Sequence, residues 1–208
     1  MNTNALSVAN YFIDLAKEEG EPIQLLGLVK RVYIAHGFAL ALLGHGLLDP
    51  RFDKVEAWKY GPVIPSVYHS FKQNKAKPIT EKAVVLELDK NDQEIFPMPS
   101  LDKKENKDEI AVVKMVWERY KSFSGGELVS LTHEKGTPWQ LCFKPGENIE
   151  IPDELTKAYY CRVVDIAKST AYVENEKWLA GGDIVVVKHT QNPKYLSYAL
   201  ATTEARKQ

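Results

Sequence analysis

Cysteine is nearly missing from this chain: Cys142 and Cys161 are the two thiols in 208 residues. Two thiols exclude a disulfide framework and a four-sulfur zinc site. An excess of either charge is missing too, since 27 lysines and arginines face 28 aspartates and glutamates, for a net charge of −1. General nucleic-acid binders carry a basic surplus because phosphate neutralisation drives their affinity. Only 5 of the basic residues are arginine, so bidentate phosphate clamps are scarce as well. The longest apolar stretch, Ile23 to Leu48, is broken by Lys30, Arg31, His36 and His45, and it does not read as a membrane span. Met1–Leu6 lacks the basic start and apolar run of a signal peptide. The phosphate-cradling strings G-x-x-x-x-G-K-[ST] and G-x-G-x-x-G are absent, as is the G-x-S-x-G elbow of serine hydrolases. None of the five histidines, His36, His45, His69, His133 and His189, pairs with another at i+3 or i+4. The expectation is a reduced, cytoplasmic, soluble protein without metal or cofactor, in one domain.

What is present is helical periodicity. Val8, Tyr11, Phe12 and Leu15 share one helix face, and Gly20 supplies a stop. Pro22 fits the first turn of a longer helix whose stripe runs Leu25, Leu28, Val29, Val32, Ala35, Ala39 and Leu42. Leu26, Tyr33 and Ile34 widen that stripe, which predicts the central helix of the core. Gly61 to Pro65 reads as a rigid turn feeding a helix with Val67, Tyr68 and Phe71. Val84 to Leu88 and Glu94 to Phe96 flank turn chemistry and predict a hairpin. The mixed-charge run Asp102 to Glu109 predicts a solvated helix start or loop. Ile110, Val113, Trp117 and Tyr120 predict a helix stopped by Gly125-Gly126, and Leu128 with Leu131 a short one after it. Pro138-Trp139 opens another, and Pro152-Asp153-Glu154 begins a last helix with face Leu155, Tyr159, Arg162, Val163 and Ile166. Ile184 to Val187 reads as a late strand. The fold class expected is mainly α, a helical domain with a small β-hairpin element.

Catalytic candidates are few. Cys142 with His133 could form a nucleophile–base pair, but a cysteine between Leu141 and Phe143 is ordinarily a small buried hydrophobe. Paired acids, Asp14 with Glu18 and Glu105 with Glu109, sit on predicted polar helix faces, where solvated surface is the expectation. The prominent feature is aromatic clustering: Trp58, Lys59, Tyr60, Gly61, Pro62, then Tyr68, His69 and Phe71, with Trp117 and Trp139 further on. Such rings either fill a core or anchor a partner. The candidate partner-binding residues are Trp58, Lys59, Tyr60, Tyr68, His133 and Trp139.

Ala9-Asn10-Tyr11-Phe12 with Ala16, the helix Leu28 to Gly37, the string Glu56-Ala57-Trp58-Lys59-Tyr60-Gly61-Pro62-Val63-Ile64-Pro65, and the pairs Thr132-His133 and Pro138-Trp139 together resemble the Panacea domain family. These are the SocA-like antitoxins, once catalogued as phage-associated proteins. The likeness covers about Ser7 to Tyr160. It departs where Val29 and His36 stand in place of a more usual glutamine, and where the charged stretch 72–107 is long. Residues 161–208 form an extension beyond it, expected to pack on the same domain.

The resemblance implies a non-catalytic antitoxin, found in prophages and two-gene operons, that neutralises a toxin encoded by an adjacent gene through direct contact. In one branch of the family the antitoxin is a proteolytic adaptor that delivers its toxin to a AAA+ protease. Two other classes stay open on the residues alone: a hydrolase using His133 with an acid such as Glu134, and a DNA-binding autorepressor, which the charge balance disfavours.

Overall fold

The computed structural model describes residues 3–169, 173–174 and 177–178, with side-chain surroundings through 165. The late strand expected at Ile184 to Val187 lies outside the described residues, as does the side chain of Ile166. The helices are α1 (Ala5–Glu19), α2 (Leu25–Leu42), α3 (Pro65–Phe71), α4 (Lys107–Tyr120), α5 (Gly125–Thr132), α6 (Pro138–Cys142) and α7 (Asp153–Ser169). A three-stranded antiparallel sheet runs in the order β2 (Gly61–Val63), β1 (Glu56–Trp58), β5 (Ile149–Glu150). Two separate ribbons pair β3 (Glu87–Leu88) with β4 (Glu94–Ile95) and β6 (Val173–Glu174) with β7 (Lys177–Trp178). The architecture is helix-dominated α+β, as the periodicity predicts.

Helix α2 is the axis, packed by α1, α4, α5 and α7. By length and apolarity alone it could cross a membrane, but 14 of its 18 residues are buried inside the fold. Among them are Lys30, Arg31 and His36, the residues that interrupt its apolar run, and each reaches a different element. The Arg31 guanidinium donates to the carbonyls of Tyr120 (2.6 Å), Lys121 (3.3 Å) and Phe123 (2.9 Å). It thereby caps the C-terminal end of α4, where unpaired carbonyls and the helix dipole favour a cation. His36 Nδ1 accepts the Leu47 N–H at 3.1 Å, which leaves the proton on Nε2 to be donated to Asp153 at 2.8 Å. That bond ties α2 to the start of α7. Lys30 turns to the sheet.

Several local expectations are corrected. Pro22 precedes α2, which starts at Leu25 after Gln24. Gly61 to Val63 is a strand, and the reversal falls on Lys59-Tyr60 between the paired Trp58 and Gly61. Gly125-Gly126 opens α5 instead of ending α4, because Ser124 and Glu127 form a reciprocal capping box. The buried stripe of α7 is Thr156, Tyr160 and Val164, so the expected face flanks it. Within the run 102–109, Asn106 and Glu109 are buried, and only part of that segment is solvated. Strand β5 carried no sequence signal.

The long segment between α3 and α4 is fastened to the body at defined points. Ile79 N–H donates to the Ile23 carbonyl at 2.8 Å, and Lys82 pairs with Asp14 at 2.7 Å. Buried Asn10 accepts the Ala83 N–H at 2.8 Å and donates to the carbonyls of Ala83 (3.0 Å) and Pro99 (2.9 Å), clamping both ends of the β3–β4 ribbon. Asn10→Ala leaves those buried groups unpaired and is expected to cost roughly 2–4 kcal/mol, read as a lower urea midpoint. Unchanged stability would show that the clamp contributes nothing.

Candidate functional site

The β1–β2 hairpin is built against Lys30. The Lys30 side chain is fully buried, and its Nζ donates to the Pro62 carbonyl at 2.8 Å. Gly61 has φ +99°, in the region that favours glycine. A Cβ at this position would stand 2.6 Å from Lys30 Nζ and 2.9 Å from Thr132 Oγ1. The missing side chain is what lets the hairpin sit against both groups. Thr132 in turn occupies the last turn of α5, with its hydroxyl shared between the Leu128 and Val129 carbonyls. Its own carbonyl accepts the Thr137 hydroxyl at 2.9 Å, and Thr137 caps α6.

From α6, Trp139 Nε1 donates to the Trp58 carbonyl at 2.8 Å, closing the circuit back to β1. The Trp139 ring is 8% exposed and stacks on His133 with centroids 3.5 Å apart and planes 5° from parallel. It also stacks on Phe143. Burial, and then the Lys30 charge, lowers the His133 pKa. Burial likewise pushes the Cys142 thiol up. A nucleophilic pair needs the reverse, a thiolate stabilised by an imidazolium.

A groove of about 450 Å³ lies where the hairpin meets the first turns of α2 and α3. Trp58, Lys59, Tyr60 and Tyr68 all line it, together with Leu26, Val29, Val63 and Lys75. Trp58 is held by its own Nε1 donating to Glu56 at 2.7 Å and by an edge-on contact with Tyr68, centroids 5.0 Å apart. Tyr60 is 61% exposed, with the Lys59 ammonium 5.4 Å from its ring centre. The six candidate residues therefore separate: four line the groove, while His133 and Trp139 are stacked behind the hairpin and support it. Aromatic rings with two lysines at hand suit an apolar partner segment bearing acidic groups.

Sequence reasoning passed over Lys30 and Arg31 as interruptions. A signal for them existed: a helix apolar on nearly every side is buried on every side, so its charged residues must be buried and satisfied too.

Burial holds the Lys30 ammonium down at about 7, against 10.5 for an open lysine. Between those values the unfolded chain keeps a proton that the folded chain has released. The Lys30 contribution to stability therefore rises with pH from about pH 7 to pH 10 and is smallest below that window. Lys30→Met is expected to flatten this rise in denaturant titrations; an unchanged slope would refute the assignment. Gly61→Ala is expected to destabilise by about 2–3 kcal/mol, measured the same way, and a neutral result would mean that the hairpin does not need its close approach.

Comparison with known proteins adds the family. The family model described as "Antitoxin SocA-like, Panacea domain" matches residues 28–140, a span that holds Lys30, Gly61, Pro62, Thr132, His133 and Trp139. Antitoxin SocA of Caulobacter vibrioides (strain NA1000 / CB15N) is 33% identical over 149 residues, 71% of this chain and 75% of that protein. No solved structure matches. The resemblance read from the motifs holds: this chain belongs to the SocA-like antitoxin family and carries its Panacea domain.

Proposed function

We propose that this protein is an antitoxin that neutralises a protein toxin, encoded by an adjacent gene, through direct contact and without making or breaking bonds. Family membership supports the antitoxin role. The observation that carries the contact mechanism is the groove along Trp58, Tyr60 and Tyr68, mounted on the Lys30–Pro62 bond. Aromatic anchors on a rigid frame bind with little loss of side-chain freedom, which is how interface hot spots gain affinity. Trp58, Lys59, Tyr60 and Tyr68 are the contact residues in this reading; His133 and Trp139 act through them. The protein works in the cytoplasm beside its toxin, and residues 1–160 form the binding domain with 161–208 as an extension of it.

Tyr60→Ala is the sharpest test, because an exposed ring can be removed without opening the core. The melting temperature should move by no more than about 2 °C, while affinity for the adjacent-gene protein falls tenfold or more and rescue of growth on co-expression weakens. Trp139→Ala should instead lower the melting temperature, since that ring is buried. If Tyr60→Ala and Trp58→Ala both neutralise like the wild type, contact through the groove is wrong. If the partner is harmless when expressed alone, the antitoxin role is wrong. Rescue that depends on a AAA+ protease and shortens the partner's half-life would replace occlusion with the adaptor role.

A further inference from the structure

The ribbon between α3 and α4 stands open on both faces at its paired residues, Glu87, Leu88, Glu94 and Ile95. Its register pairs Glu87 with Ile95 and Leu88 with Glu94. Val85 N–H donates to the Pro97 carbonyl at 3.0 Å and Asp89 N–H to the Gln93 carbonyl at 2.9 Å. These two bonds, one on each side of the paired residues, carry the same alignment outward and set 85, 87 and 89 opposite 97, 95 and 93. The intervening residues lie on the opposite face, directly across from one another: Val84 by Met98, Leu86 by Phe96, and Leu88 by Glu94. Val85 and Pro97 are half-buried. Val84, Leu86, Leu88, Phe96 and Met98 are 51% to 62% exposed.

A hairpin that packed only for its own stability would turn this face inward, since a two-stranded ribbon is marginal in water without cover. Five large apolar side chains gathered on one solvent-facing surface form the kind of patch that marks an interaction site. The tip beside it carries Glu87, Asp89, Asp92 and Glu94 against one lysine, Lys90. An apolar centre with a charged rim is the anatomy of a protein interface, and the sign of the rim restricts the occupant. A second copy would bring acids against acids. Anionic lipid and nucleic acid are repelled for the same reason.

We propose that the outward face of the 84–98 ribbon docks the toxin, on a toxin surface with an apolar centre ringed by lysine or arginine. The proposal rests on the antitoxin reading above and adds a second contact, chemically opposite to the groove with its two lysines. The patch is on the order of a few hundred Å², below the roughly 800 Å² per partner of a stable complex. Losing it therefore weakens the complex without abolishing it.

The test measures binding of the full-length chain to the adjacent-gene protein by calorimetry at low and high salt, with two variants. Leu86→Ser with Phe96→Ser removes the apolar centre; Glu87→Lys with Glu94→Lys reverses the rim. All four side chains are exposed, so both variants should melt with the wild type. Expected are a tenfold or greater loss for the first variant at either salt, and a comparable loss for the second that shrinks as salt screens the rim. Wild-type affinity in both variants overturns this proposal and leaves the antitoxin role standing. No binding by the wild-type chain overturns both. A wild-type dimer that the serine variant turns into monomer would assign the face to a second copy. Slow hydrogen exchange over 84–98 in the free chain, lost on deleting residues 179–208, would assign it to the chain's own extension. Either result also overturns the proposal.

Discussion

A single buried hydrogen bond, from Lys30 Nζ to the Pro62 carbonyl, fixes where the β1–β2 hairpin sits on the central helix. Lys30 is the middle of a pattern. Helix α2 buries three polar side chains that reach the β-hairpin, the end of α4 and the start of α7. Apolar packing is tolerant of small slides, but a desolvated donor left without its acceptor is not. Each bond therefore forbids registers that the hydrophobic effect alone would permit.

That constraint has a functional consequence. The hairpin has only Lys59 and Tyr60 at its turn, and such short ribbons are rigid only when something behind them is rigid. Lys30, Thr132 and the His133–Trp139 stack lie behind it. In the proposed reading, Trp58 and Tyr60 are thus held on a frame set before any partner arrives, and such a frame reduces the ordering cost of binding. The residues of this frame fall within the span that the family model matches. The outward ribbon at 84–98 is of the opposite kind, a peripheral element clamped by Asn10 on a shared scaffold. Varying such an element changes which partners fit without disturbing the core.

Much of the fold was legible in the sequence because helices announce themselves by period. Phe12, Trp117 and Tyr120 took the buried faces that their spacing predicts. The errors have physical causes. Gly125-Gly126 looked like a stop because glycine ends helices, yet Ser124 and Glu127 supply a stronger local signal for a start. The α7 stripe was placed one position off because Tyr159 and Tyr160 are equally apolar in the sequence. Gly37, which leaves room for the Tyr160 ring, and the facing rings of Tyr33 and Phe38 favour the second. Strand β5 is two residues paired with Glu56 and Ala57, and two residues carry no period. For the site, the aromatic string was visible, but its division into groove-lining and supporting rings was not. Trp139 is held behind the hairpin by its hydrogen bond to the Trp58 carbonyl, 81 positions away, and no local pattern encodes that.

Hydrogen–deuterium exchange on the chain, free and bound to the protein encoded beside it, tests contact through the groove most directly. The expected result is exchange slowed on binding across the hairpin and α3, residues 56 to 71, where Trp58, Tyr60 and Tyr68 reside. A tight complex in which that stretch exchanges as fast as in the free chain would contradict the account.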